Sequence, residues 1–130
     1  EHAAMIMGVG IDVVQNQRIR ESLEKFGARF LSRIYTEIEA GYCNKCADPA
    51  IHFAARFAAK EAAFKALGTG WAAGVKWKDI EVQKLPSGQP ELHLYGEALA
   101  RATAMSATRF HVSLTHDQLV SVAVGGVGNA

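Results

Sequence analysis

Between positions 49 and 67 the chain is apolar at almost every helical phase. Alanines dominate, and Phe53, Phe57 and Phe64 fall on one stripe at spacings of four and seven. Asp48-Pro49 is a start signal, and Gly68 closes the run. A helix apolar nearly all round belongs inside a domain or an oligomer. Yet this one carries Arg56, Lys60, Glu61 and Lys65. These are expected to have partners, because burying an unpaired charge costs several kcal/mol.

The remaining pattern alternates between helical and strand periods. Residues 5–14 are apolar, with glycines at Gly8 and Gly10, and read as a buried first strand ending near Asp12. Residues 16–24 and 28–34 are short helices broken at Gly27, and Thr36-Glu37-Ile38-Glu39 has the form of a capping box. Residues 77–83 and 91–95 read as strands joined across Pro86-Ser87-Gly88-Gln89-Pro90, with a short helix over 96–105. Phe110, Val112 and Leu114 alternate with polar residues, and a valine-rich strand over 119–125 follows the tight link Thr115-His116-Asp117-Gln118. The order predicts an α+β fold, with helices grouped on one side of a mainly antiparallel sheet.

Composition narrows the class. The chain has 130 residues, 49% hydrophobic and 21% charged, which fits one ordinary domain, taken as residues 5–127. Residues 1–4 read as a cloning remnant ahead of a native start at Met5 or Met7. A net charge of +1 gives no basic field for nucleic acid. No stretch is long and apolar enough to span a bilayer and no signal peptide is evident, so a cytoplasmic location is expected. Cys43 and Cys46 lack the strand-then-helix context of a redox pair and the further ligands of a zinc site, and read as two reduced thiols.

Several residues could carry chemistry. Asp12 is either a metal ligand or a turn aspartate; Gly8 and Gly10 beside it leave room for something bulky. Glu61 and Lys65 stand four apart in the order favoured for a helical ion pair. If Glu61 faces Asp12, the two carboxylates could share a hard divalent cation. Magnesium commonly takes one or two carboxylates and completes its shell with water and phosphate oxygens. Lys65 would then suit the same phosphates. Gly68-Thr69-Gly70 is either a plain helix C-cap or a turn offering N–H groups to phosphate, against the partial negative charge of a helix C-terminus. His116, with Ser113 and Thr115 nearby, is either an exposed turn histidine or a phosphate ligand and proton shuttle. Arg18, Arg20, Lys25, Arg29 and Arg33 form either a solvated face or a docking patch for an acidic protein.

Three blocks, Gly8-Val9-Gly10-Ile11-Asp12, Arg56-Phe57-Ala58-Ala59-Lys60-Glu61-Ala62 through Lys65-Ala66-Leu67-Gly68-Thr69-Gly70, and Val112-Ser113-Leu114-Thr115-His116-Asp117, resemble the small single-domain phosphopantetheinyl transferases of the holo-acyl-carrier-protein synthase type. The likeness runs from Met7 to Gly125; the glycine-bearing end leaves the length of the last strand open, and Cys43 and Cys46 are no part of the pattern. The resemblance implies that family's fold, with a long central helix on the sheet. It implies transfer of 4′-phosphopantetheine from coenzyme A to a serine of apo acyl carrier protein, releasing adenosine 3′,5′-bisphosphate. It implies Mg2+ held by Asp12 and Glu61, with Glu61, Lys65 and His116 catalytic. Arg56, Lys60, Lys65, Gly68, Thr69, Gly70, Ser113 and His116 would bind coenzyme A, and Arg18, Arg29 and Arg33 would dock the carrier. The proton acceptor would be Glu61 or a metal-bound water. A homotrimer with sites between subunits is implied too, a neighbour covering surplus apolar surface on the helix.

Three other readings stand beside it, one of them a structural trimer whose buried charges merely pair with each other. A transferase for polyketide or peptide synthetase carriers is often two fused copies, which 130 residues do not hold. A non-catalytic coenzyme A or nucleotide-binding module would not need both Asp12 and Glu61.

Overall fold

The computed structural model describes residues 4–69 and 74–129. The element order is β1 (Met5–Gln15), α1 (Asn16–Phe26), α2 (Ala28–Ile34), α3 (Glu37–Asn44), α4 (Pro49–Leu67), β2 (Ile80–Lys84), β3 (Pro90–Leu94), α5 (Gly96–Ala104), β4 (Arg109–His116) and β5 (Val120–Asn129). The class is α+β, as the pattern predicts. The strands form two antiparallel sheets rather than one: a three-stranded sheet ordered β1-β5-β4 and the separate β2–β3 hairpin. Residues 77–83 are not all strand; Trp77–Asp79 is a 3-10 turn leading into β2.

Helix α4 packs against β1 and β5. At the glycines of β1 its approach is main chain to main chain. A Cβ at Gly8 would collide with the carbonyl of Ala66, and one at Gly10 with that of Ala62. Gly125, the cross-strand partner of Gly10, would place a Cβ 3.1 Å from Ala62 C and Ala63 N. The room left by these glycines is thus filled by α4, not by a ligand as the sequence implied. Ala58, Ala59, Ala62 and Phe64 are buried, and Phe53 and Phe57 pack on Tyr35 and Trp77, each pair with ring centroids 4.7 Å apart.

The surplus apolar surface expected on the helix is covered by its own chain. It lies instead on the outer face of the three-stranded sheet, where Val9, Ile11 and Val13 are 61–62% exposed. Strand alternation explains this: Gly10, Asp12 and Val14 point to α4, and the intervening residues point away. The capping box of α3 forms as predicted, with Thr36 Oγ1 accepting from Glu39 N and Thr36 N donating to Glu39 Oε1. The β4–β5 hairpin also forms, Asp117 Oδ1 accepting from Leu119 N and Val120 N at 2.8 Å each. Strand β5 runs through all of Gly125, Gly126 and Gly128. Among the described residues no helix is long and apolar enough to cross a membrane.

Candidate active site

The inward side of β1 brings Asp12 to the flank of α4 that carries Glu61 and Lys65. Lys65 Nζ donates to Ile11 O at 3.0 Å and to Asp12 Oδ1 at 3.2 Å. Asp12 is therefore no turn residue, since β1 continues to Gln15. Lys65 directs these bonds across to the strand rather than along its own helix. Burial first, and the Asp12 carboxylate second, push the Glu61 carboxyl above its usual range, while Lys65 and Arg18 pull it back. Two acids thus share a site with one ammonium already engaged by the strand.

A second cluster lies on the other flank of α4. Arg56 precedes Glu61 by five residues, about 140° around the helix. Its guanidinium carbon sits 4.4 Å from the Tyr42 ring centroid, and its buried Nε has no hydrogen-bond partner. Lys84 Nζ lies 5.3 Å from the same centroid and donates to the Tyr42 hydroxyl at 3.0 Å. The His52 and His116 rings meet edge to face at 5.4 Å. These side chains line a pocket of about 170 Å³ together with Gly88, between β2 and β3, and Pro90, the first residue of β3. Burial lowers the His52 pKa, and the charges of His116, Arg56 and Lys84 lower it further against Asp48. Sequence reasoning named Arg56 and His116 but missed His52 and Lys84. His52 stands one turn before Arg56, so helical spacing could have found it. Nothing local to Lys84 foretells its position.

Other expected ligands of coenzyme A sit elsewhere. Lys60 and its partner Glu39 have side chains 0% exposed, with Lys60 Nζ 2.7 Å from Glu39 Oε1. Lys60 also donates to Trp77 O at 3.1 Å and to Ile80 O. Its ammonium closes a core network and reaches no surface ligand. Ser113 is exposed on the outer sheet face, in the groove with Val9 and Val124, whereas His116 faces α4. An odd spacing in a strand puts the two on opposite faces. Gly68 caps α4 in the left-handed conformation, φ 75°, and Thr69 is half-buried. Gly70 lies outside the described residues.

Arg18, Arg29 and Arg33 are all exposed on α1 and α2. Arg29 and Arg33 edge a cleft of about 390 Å³ with Phe26, Phe30 and Trp77, and Arg18 is near enough to Glu61 to act on its ionisation. Cys43 and Cys46 are free thiols, and burial pushes the Cys43 pKa up to about 12, which leaves it unreactive.

The family model described as the 4′-phosphopantetheinyl transferase superfamily matches residues 8–123. The chain is 48% identical over 119 residues to the holo-[acyl-carrier-protein] synthase of Koribacter versatilis (strain Ellin345), covering 92% of this chain and 95% of that one. The fold matches the holo-[acyl-carrier-protein] synthase from Neisseria meningitidis with a TM-score of 0.84 and 34% identity, covering 95% of this chain and 98% of that one. It matches the Helicobacter pylori holo-[acyl-carrier-protein] synthase in complex with coenzyme A with a TM-score of 0.81 and 29% identity, over 92% and 98% of the two chains.

Proposed function

This chain belongs to the 4′-phosphopantetheinyl transferase superfamily, and from that membership we infer that it is a holo-[acyl-carrier-protein] synthase. It transfers 4′-phosphopantetheine from coenzyme A to a serine of apo acyl carrier protein. The observation that carries this reading is the meeting of Asp12, Glu61 and Lys65 between β1 and α4.

The carboxylate pair suits Mg2+. Burial beside Asp12 disfavours the charge on Glu61, and a divalent cation would relieve that conflict. Substrate oxygens and water would supply the rest of the cation's shell. Bound there by Asp12 and Glu61, magnesium would supply charge neutralisation at the pyrophosphate. The chain's own residues do the remaining work. Lys65 neutralises charge developing on the phosphates as the serine oxygen bonds to the pantetheine-bearing phosphorus. The bond from that phosphorus to adenosine 3′,5′-bisphosphate breaks. The serine proton would go to Glu61 or to a metal-bound water. Arg56 and His116, joined by His52 and Lys84, suit the remaining phosphates, and Gly68 and Thr69 wall the nucleotide.

Arg18, Arg29 and Arg33 suit docking of an acidic carrier, Arg18 linking that surface to Glu61. Three copies of this single domain, residues 5–127, would cover the outer sheet face, each α4 serving as the central helix of its subunit. The reading places the enzyme in the cytoplasm. Light scattering of Val124→Glu is expected to give monomers; a mass unchanged from the native protein removes that face as the interface.

The deciding experiment is mass spectrometry of apo carrier protein incubated with coenzyme A, magnesium and this protein. The carrier is expected to gain one phosphopantetheine, and a carrier of unchanged mass overturns the reading.

A further inference from the structure

The C-terminal end of α4 poses an electrostatic problem for any phosphate approaching Gly68. The last carbonyls of a helix lack internal partners and carry partial negative charge. Lys65, the basic residue of the last turn, is turned toward β1, with Nζ bonded to Ile11 O and Asp12 Oδ1. Its charge is therefore directed to the carboxylates and not to the Gly68 turn.

A different element supplies the missing charge. Arg101, on α5, donates from Nε to Leu67 O at 3.0 Å. The same guanidinium runs on past the turn, with Nη2 3.6 Å from the position a Cβ on Gly68 would occupy. Helix α5 is a firm base for this reach. Ala98 and Ala102 are fully buried, and its entry is tied by Tyr95 N donating to Asp79 O at 2.8 Å. Nε uses one of five guanidinium N–H groups on the helix end, and Nη2 lies beside the exposed Gly68.

We propose that Arg101 is a positioning residue for coenzyme A: it caps the last turn of α4 and turns the Gly68 corner from an anion-repelling helix end into a phosphate-accepting one. The inference rests on the synthase reading above. It assigns to α5 a part in substrate binding that neither carboxylate nor Lys65 can fill. The glycine at 68 is needed for its positive φ, and the guanidinium lies in van der Waals reach of the side a Cβ would take.

The test measures coenzyme A binding by calorimetry, and KM and kcat for carrier modification, in native protein, Arg101→Gln and Arg101→Lys. Arg101→Gln is expected to weaken coenzyme A binding and raise its KM about fivefold, with kcat within about twofold. Arg101→Lys, which keeps the charge, should recover most of that loss. Urea unfolding of both variants checks the cap, which Gln and Lys should weaken alike, so a stability change alone cannot reproduce the difference between them. Equal coenzyme A affinity in native protein and Arg101→Gln overturns the proposal and leaves the synthase reading intact. So does an equal loss in Gln and Lys. Native protein that binds no coenzyme A overturns both.

Discussion

Lys60 and Lys65 stand five residues apart on α4 and differ in almost everything but their chemistry. Lys60 is enclosed. Its ammonium meets Glu39 and the carbonyls of Trp77 and Ile80, and Glu39 in turn accepts from Thr36 N through Oε1 and from Val82 N through Oε2. Every charge there has a fixed partner. Lys65 is 52% exposed and must divide itself between a strand carbonyl and Asp12, while Glu61 next to it is held above its usual pKa. The first region is electrostatically settled and serves the fold. The second is left in conflict, which the proposed cation and coenzyme A phosphates would resolve.

The contrast breaks most directly at Lys60. Lys60→Met leaves Glu39 buried without its counter-charge and should cost about 3–5 kcal/mol in urea unfolding. A variant as stable as the native protein but inactive would place Lys60 in the site after all.

Glu61→Gln tests the other side. Turnover should fall on the order of 10²-fold or more, as expected on removing the proton acceptor or a ligand of the cation. Stability should move the opposite way. The folded-state pKa is raised, so the carboxyl's contribution is full below the ordinary carboxylate range and is lost as pH rises through the raised value. Glutamine should therefore stabilise the protein at neutral pH, an advantage that disappears on acidification. Thermal unfolding with a chelator at both pH values checks this, and a destabilised Gln variant at neutral pH would contradict it.

Lys65→Met sharpens the comparison. Its exposed pair with Asp12 should add no more than about 1 kcal/mol to stability. Transfer should fall roughly tenfold, the loss expected of one phosphate-neutralising contact. The smallest effect is expected at Arg18→Glu. The KM for carrier protein should rise a few-fold, more at low salt, with coenzyme A affinity nearly unchanged. Calorimetry with coenzyme A separates the two.

The sequence made much of this frame readable. The bounds of α4, the capping box at Thr36 and the hairpin at Asp117 all follow from local signals, and local signals are strong where backbone geometry is decided. The fates of Lys60 and Lys65 were not readable. Their difference depends on Glu39, 21 residues earlier, folding under the helix, and no spacing rule on α4 contains that fact. Composition alone points to the helix as the uncovered apolar surface, because its composition is extreme. In the structure, the alternating strand β1 exposes more. Ser113, by contrast, could have been separated from His116 beforehand. It sits three residues from His116 in a strand, which alone sends the two to opposite faces.

The glycines at 8, 10 and 125 have a consequence for how this site can vary over time. At Gly8 and Gly10 the backbone of β1 lies against the carbonyls of Ala66 and Ala62, with no room for a side chain on the strand. The offset between Asp12 and Glu61 is thus set by two backbones in direct touch. Drift in the surrounding packing can loosen or tighten the domain without shifting that offset. The same arrangement leaves almost no halfway substitutions, for even one methyl group added at Gly10 would have to push the helix off the strand.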